Sequence, residues 1–116
     1  MTDHLLIDGR LVPGNGPSFD VIDPASGQIH TTLSASDKAQ LATATAAAAA
    51  AQPGWQARSQ PDRTKMLHAI ADAIEANRKT LATALTHETG RPLTRNHLYV
   101  DMARDIFHQY AELARA

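Results

Sequence analysis

The ten residues "TTLSASDKAQ", 31–40, mark a change of period. Up to Leu33 the punctuation is that of short strands, and from Ser34 onward apolar residues recur at helical spacing. Just before this point, "FDVID" and "QIHTTL" flank "PASG" and predict a hairpin with a longer turn. "PGNGPS" reads as a loop. Ahead of it, "LLIDGRLV" sets apolar residues on both sides of Asp8-Gly9, a pair that readily takes the positive φ of a tight hairpin turn. Residues 1–33 thus form a β-hairpin region of four short strands, and residues 34–116 form a three-helix region.

The first helix has Ser34 and Ser36 as candidate caps for its opening amides. Alanine runs from Ala46 to Ala51, where high helix propensity and small side chains favour a close-packed helix, and Pro53-Gly54 is expected to close it. A second helix opens at "SQPD", with Ser59 as cap, Pro61 in the first turn and Asp62 set against the helix dipole. Leu67, Ile70, Ile74, Leu81 and Leu85 make one apolar stripe, and Lys65, Asp72, Glu75 and Arg78 are expected to solvate the opposite face. Uninterrupted from Ser59 to Thr89, this helix would be about 46 Å long at ~1.5 Å per residue. Gly90 and Pro92 stop it. A third helix begins near Thr94 to Asn96, with Tyr99, Met102, Ile106, Tyr110 and Leu113 as its stripe. It continues to Ala116 without a stop signal, so the chain reads as cut off inside an amphipathic helix.

Composition narrows the function. With 4% aromatic residues in a 43% hydrophobic chain, the core has to be aliphatic and alanine-based, and therefore thin. Eleven Lys and Arg against 12 Asp and Glu leave a formal charge of -1, which creates no field for nucleic acid or an anionic membrane. No stretch approaches the roughly 18 apolar residues of a membrane span, and the opening "MTDHLLIDGR" has no signal-peptide pattern, so the expected location is cytoplasmic. The absence of cysteine removes disulfides, thiolate metal sites and a cysteine nucleophile.

The motifs that remain are mostly ordinary. Gly14 and Gly16 sit between prolines with no helix behind them, so "PGNGPS" is not a phosphate loop. His87-Glu88 is like the opening of a zinc-protease helix, but Arg91 stands where the second histidine is needed. No serine occupies a glycine-flanked elbow. The six histidines, at positions 4, 30, 68, 87, 97 and 108, show no metal-ligand spacing, and each reads as a surface or partly buried side chain. Glu88 faces the negative end of a helix dipole and calls for a positive partner, which Arg91 could supply.

Taken in order, "LLIDGRLVPG", "FDVIDPASGQIHTTLSASDKAQLATATAAAAAAQPGW", "RTKMLHAIADAIEANRKTLATALTHETGRPL" and "ARDIFHQYAELARA" resemble the N-terminal segment of the NAD(P)-dependent aldehyde dehydrogenase superfamily over nearly the whole chain. The fold implied is an α+β fragment of the α/β aldehyde dehydrogenase fold, the N-terminal part of a dinucleotide-binding domain with the catalytic domain absent. The activity implied is oxidation of an aldehyde to a carboxylic acid with NAD or NADP, through a cysteine thiohemiacetal and a thioester hydrolysed with a glutamate base. None of those catalytic or cofactor-binding residues falls within the resembling segment, so the chain alone is expected to be inactive and to bind no dinucleotide. The resemblance further implies a monovalent cation held by the Val21 and Ile22 carbonyls and the Glu88 carboxylate, substrate-tunnel positions at Tyr99 and Met102, and a packing role for Trp55. Its implied partners are the remainder of the dehydrogenase or a homologous subunit, the intact family usually being homo-oligomeric. The alternative is a noncatalytic interaction module that docks on a full-length dehydrogenase or on itself.

Overall fold

A computed structural model of the chain describes residues 4–113. They fall into two compact units: residues through Ile22 with Gly27–Ala57, and Asp23–Ser26 with Arg58 onward.

In the first unit, β1 (Leu5–Ile7) and β2 (Arg10–Val12) pair antiparallel with Ile7 opposite Arg10. The turn takes φ of 51° at Asp8 and 72° at Gly9, as the Asp-Gly pair dictates. β3 (Ser18–Ile22) pairs antiparallel with β4 (Ile29–Ser34), with a register shift between Val21 and Ile22. The opposed Thr32 and Asp20 are joined across the strands by a 2.7 Å hydrogen bond from the threonine hydroxyl. The loop before β3 is tighter than its composition suggests. A Cβ on Gly14 would lie 2.3 Å from the Ser34 carbonyl oxygen, and the Gly16 amide donates to the Ala35 carbonyl at 2.8 Å. Only glycine lets the two backbones approach this closely.

Helix α1 (Lys38–Gln56) starts later than Ser34 or Ser36 implies. Asp37 is its cap, accepting from the Gln40 amide at 2.7 Å, while the Gln40 side chain accepts from the Asp37 amide. The reciprocal pair satisfies two opening amides, which a lone serine cannot do. Gln40 also donates to the Pro13 carbonyl at 2.7 Å and accepts from the Asn15 amide at 2.9 Å, so the same side chain fixes the loop. Pro53 and Gly54 lie inside the last turn instead of ending it. Pro53 removes one amide, and its carbonyl still receives the Ala57 amide at 3.0 Å. The alanine run is helical as expected, and α1 buries none of its residues.

The second unit holds α2 (Gln60–Ala76), α3 (Arg78–Thr89) and α4 (Leu93–Leu113). Ser59 caps α2 as expected, with Pro61 in the first turn and Asp62 bonded back to the Ser59 hydroxyl. The expected 59–89 helix is two helices divided at Asn77, which has φ −104° and ψ 11°. Its side-chain amide donates to the Ala73 carbonyl at 2.9 Å, the competition with the backbone that makes asparagine a poor interior residue. At the end of α3, Gly90 takes φ 69° and its amide closes on the Thr86 carbonyl at 2.9 Å.

α4 starts at Leu93, earlier than Thr94 to Asn96, and runs antiparallel to α2 and α3, so that contacts with Thr64, Arg78 and Thr86 come from Ala111, Asp101 and Asn96 in turn. The continuation to Ala116 lies outside the described residues. The core of this unit is small: Ala71, Ala82, Val100 and Ala111, with Thr64 and Asn96. Alanine at the contact lets helix axes come close, and the Thr64 hydroxyl reaches the Ala111 carbonyl at 3.3 Å.

Two stripe expectations change. Ile70 and Leu81 are exposed and their places inside are taken by Ala71 and Ala82. On α4 the inward line is Asn96, Val100, Phe107 and Ala111, while Tyr99, Met102, Ile106, Tyr110 and Leu113 face outward. At about 100° per residue the two lines are adjacent faces of one broadly apolar helix, and the polar bonds of Asn96 and the small Ala111 choose between them. Lys65, Asp72 and Glu75 are exposed as expected, but Arg78 is half-buried. Arg78 grips both oxygens of Asp101 at 2.6 and 2.8 Å, and Arg104 reaches Glu75 at 2.6 Å.

Candidate functional site

The end of α3, the three residues Gly90–Pro92 and the first turns of α4 bring together most of the residues singled out in the sequence. Asn96, 1% exposed, organises the junction. Its amide nitrogen donates to the Thr86 hydroxyl at 2.9 Å and to the Arg91 carbonyl at 3.3 Å, and Thr86 passes its own proton to the Ala82 carbonyl at 3.0 Å. A buried amide in low dielectric needs such partners.

Beside this junction, His87 Nδ1 lies 3.2 Å from Asp23 Oδ2, and Asp23 Oδ1 accepts from the Ala25 amide at 2.8 Å. The His87 hydrogen bond, reinforced by the Ala25 amide, holds the Asp23 carboxyl below its ordinary value. A Cβ on Gly90 would come within 3.0 Å of the Pro24 side chain, so the 23–26 turn rests on the helix stop. The histidine was legible as polar; its aspartate, 64 residues away, was not.

Glu88 is exposed on the last turn of α3 in the second unit. Val21 is half-buried and Ile22 exposed at the end of β3 in the first. Arg91 lies with its guanidinium carbon 5.1 Å from the centre of the Tyr99 ring, a cation–π contact. Tyr99 and Met102 are 40% and 58% exposed on the outward face of α4. Trp55 is 38% exposed near the end of α1.

The described residues carry no phosphate loop. The space of a phosphate loop at Gly14 and Gly16 is filled by the chain's own backbone at residues 34–36, and no helix N-terminus follows a glycine-rich turn in them. Among the described residues no group of three or more His, Asp or Glu could hold a metal ion, and no helix is long and apolar enough to cross a membrane. One meeting of histidines escaped the sequence: His68 on α2 and His108 on α4, 40 residues apart, face each other with their Nδ1 atoms 2.9 Å apart.

Comparison with known proteins identifies the frame in which this geometry sits. A model of the aldehyde dehydrogenase family matches residues 11–116. The N-succinylglutamate 5-semialdehyde dehydrogenase of Chromohalobacter salexigens is 40% identical over 90 residues, covering 78% of this chain and 18% of that protein. The 2-aminomuconic semialdehyde dehydrogenase of Bos taurus is 33% identical over 88 residues, covering 76% of the chain and 18% of the relative. Betaine aldehyde dehydrogenase from Staphylococcus aureus, solved in complex with NAD+, superposes with a TM-score of 0.88 at 30% identity, covering 97% of this chain and 23% of that one. An NAD-dependent benzaldehyde dehydrogenase from Corynebacterium glutamicum shares the fold with a TM-score of 0.91 at 24% identity, over 97% of this chain and 25% of its own. The chain therefore spans less than a fifth of the length of these curated relatives.

Proposed function

The chain belongs to the aldehyde dehydrogenase family, and from that premise we propose that it is the N-terminal scaffold segment of an enzyme that oxidises an aldehyde to a carboxylic acid with NAD or NADP as hydride acceptor. The observation that carries the reading is the family match over residues 11–116 together with the length of the relatives, of which the chain covers 18%. In the reaction water adds its oxygen to the acyl carbon, a hydride passes to the nicotinamide and a proton is released. The thiol that carries the acyl group comes from outside these residues, because they contain no cysteine.

The work of this segment is structural. Its outward α4 face, with Tyr99, Met102, Ile106 and Tyr110 exposed, is a wall for the rest of the enzyme to cover. Tyr99 and Met102 contribute to the substrate tunnel when that cover is present. Both named relatives act on semialdehydes by name, so semialdehydes are the first substrates to try, in a cytoplasmic enzyme. The carbonyls of Val21 and Ile22 and the carboxylate of Glu88 supply oxygen donors for a monovalent cation in the intact enzyme. Replacing K+ or Na+ by a bulky organic cation should then lower its melting temperature, and the Glu88→Gln variant should not respond.

The test is an assay of the pure 116-residue chain with a semialdehyde panel and either nicotinamide. No turnover is expected alone, and activity is expected when the missing part is supplied as a separate polypeptide. Reduced nicotinamide formed in proportion to the chain alone would overturn the reading. The exposed α4 face also favours a second reading, a noncatalytic module docking on a full-length dehydrogenase. That reading requires the chain to co-purify with such an enzyme.

A further inference from the structure

We propose that His68 and His108 form a two-histidine clasp for a borderline divalent transition-metal ion of the Cu2+ type, tying α2 to α4. The reasoning is independent of the enzyme's activity. Two imidazole Nδ1 atoms 2.9 Å apart cannot both present lone pairs to each other, so without metal one donates its proton to the other, and an ion that binds both must lie off the line joining them while that proton moves to the donor ring's Nε2. The Glu112 carboxylate decides which nitrogen is free on His68. Its Oε1 lies 3.1 Å from His68 Nε2 and can only accept, so Nε2 carries the proton and the neutral ring turns its lone pair at Nδ1 toward His108. A carboxylate on the far nitrogen is the arrangement that orients a metal-bound histidine and raises its basicity.

The spacing also selects the metal geometry. With metal–nitrogen bonds of about 2.05 Å, a tetrahedral ion needs its nitrogens about 3.3 Å apart, whereas a separation near 2.9 Å subtends about 90° at the metal. A right angle between neighbouring ligands belongs to square-planar or tetragonal sites, the preference of Cu2+ and Ni2+. The rings, tilted 43° with centroids 5.2 Å apart, leave the remaining positions to water. His68 is one-third exposed, so an ion can enter from solvent. The hollow beside His68 also carries Lys65, whose charge opposes a cation, and Glu112 offsets it. Two helices thereby acquire a crosslink that the small alanine core does not provide.

The experiment uses the purified, untagged protein with His4 replaced by glutamine, so that the amino-terminal amine and that imidazole do not compete for copper. Cu2+ added below one equivalent should broaden the ring resonances of His68 and His108 before those of His30, His87 and His97. Titration should saturate at one ion, with copper electron paramagnetic resonance showing two bound nitrogens. His68→Gln and His108→Gln should each lower the affinity by more than about tenfold, and Glu112→Gln by about tenfold. Broadening centred on other histidines, or undiminished affinity in the His68→Gln/His108→Gln double variant, would overturn the proposal. The resonance readout needs no substitution at the site, so the outcome does not depend on the variants folding.

Discussion

Replacing Asn96 with alanine removes a fully buried polar side chain that ties the end of α3 to the start of α4. Two hydrogen bonds disappear, to the Thr86 hydroxyl and the Arg91 carbonyl. At about 1 kcal/mol each, and with the Arg91 carbonyl stranded beside a new void, the cost comes to about 2–3 kcal/mol. With a urea m-value of about 1.5 kcal/mol/M, that lowers the unfolding midpoint by roughly 1.3–2 M at unchanged m. Asn96→Asp tests the sign of the interaction separately. It keeps the shape but puts an acceptor where the structure has a donor, against a hydroxyl already donating to Ala82 and a carbonyl. At neutral pH it should be worse than alanine. Thr86→Val, made singly and with Asn96→Ala, should show coupling because the two share one bond. A midpoint shift below roughly 0.3 M for Asn96→Ala, or an Asn96→Asp variant as stable as the parent, would refute the account of the α3–α4 junction.

Gly90→Ala should cost about 1–2 kcal/mol, since φ 69° is left-handed and the new methyl meets Pro24 at 3.0 Å; thermal unfolding checks it. Ala71→Leu should overpack a fully buried position of α2 and cost about 1–3 kcal/mol in the same assay, whereas Ile70→Ala beside it should cost less, reversing the order that residue hydrophobicity alone predicts. Asp101 is held below its ordinary carboxyl value by Arg78, and Asp23 by His87. A depressed folded value means stability that is present above the unfolded pKa and is lost as pH falls through the folded one, below about pH 4. Asp101→Asn should flatten that acid limb, as followed by denaturation midpoints against pH.

Local chemistry was enough to read the hairpin turn at Asp8-Gly9, the start of α2 at Ser59, its initial proline and the stop at Gly90. Each of these is decided within about four residues, the reach of a turn or a cap. The ordered series of such signals, with its phrases, also carried the family resemblance, which the match over residues 11–116 shows. What the sequence could not decide were choices between competing partners. α4 is apolar around adjacent faces, and only packing against Ala71 and Ala82, with the Thr86–Asn96 bond, turned Val100 inward and left Tyr99 and Met102 out. Asn77 broke an otherwise continuous helical pattern because its side chain found the Ala73 carbonyl. The pairs His87–Asp23, Arg78–Asp101 and His68–His108 join residues 64, 23 and 40 positions apart. Helical periodicity states which residues share a face, but which face meets which neighbour depends on the shapes of both, and that exists only in the folded chain.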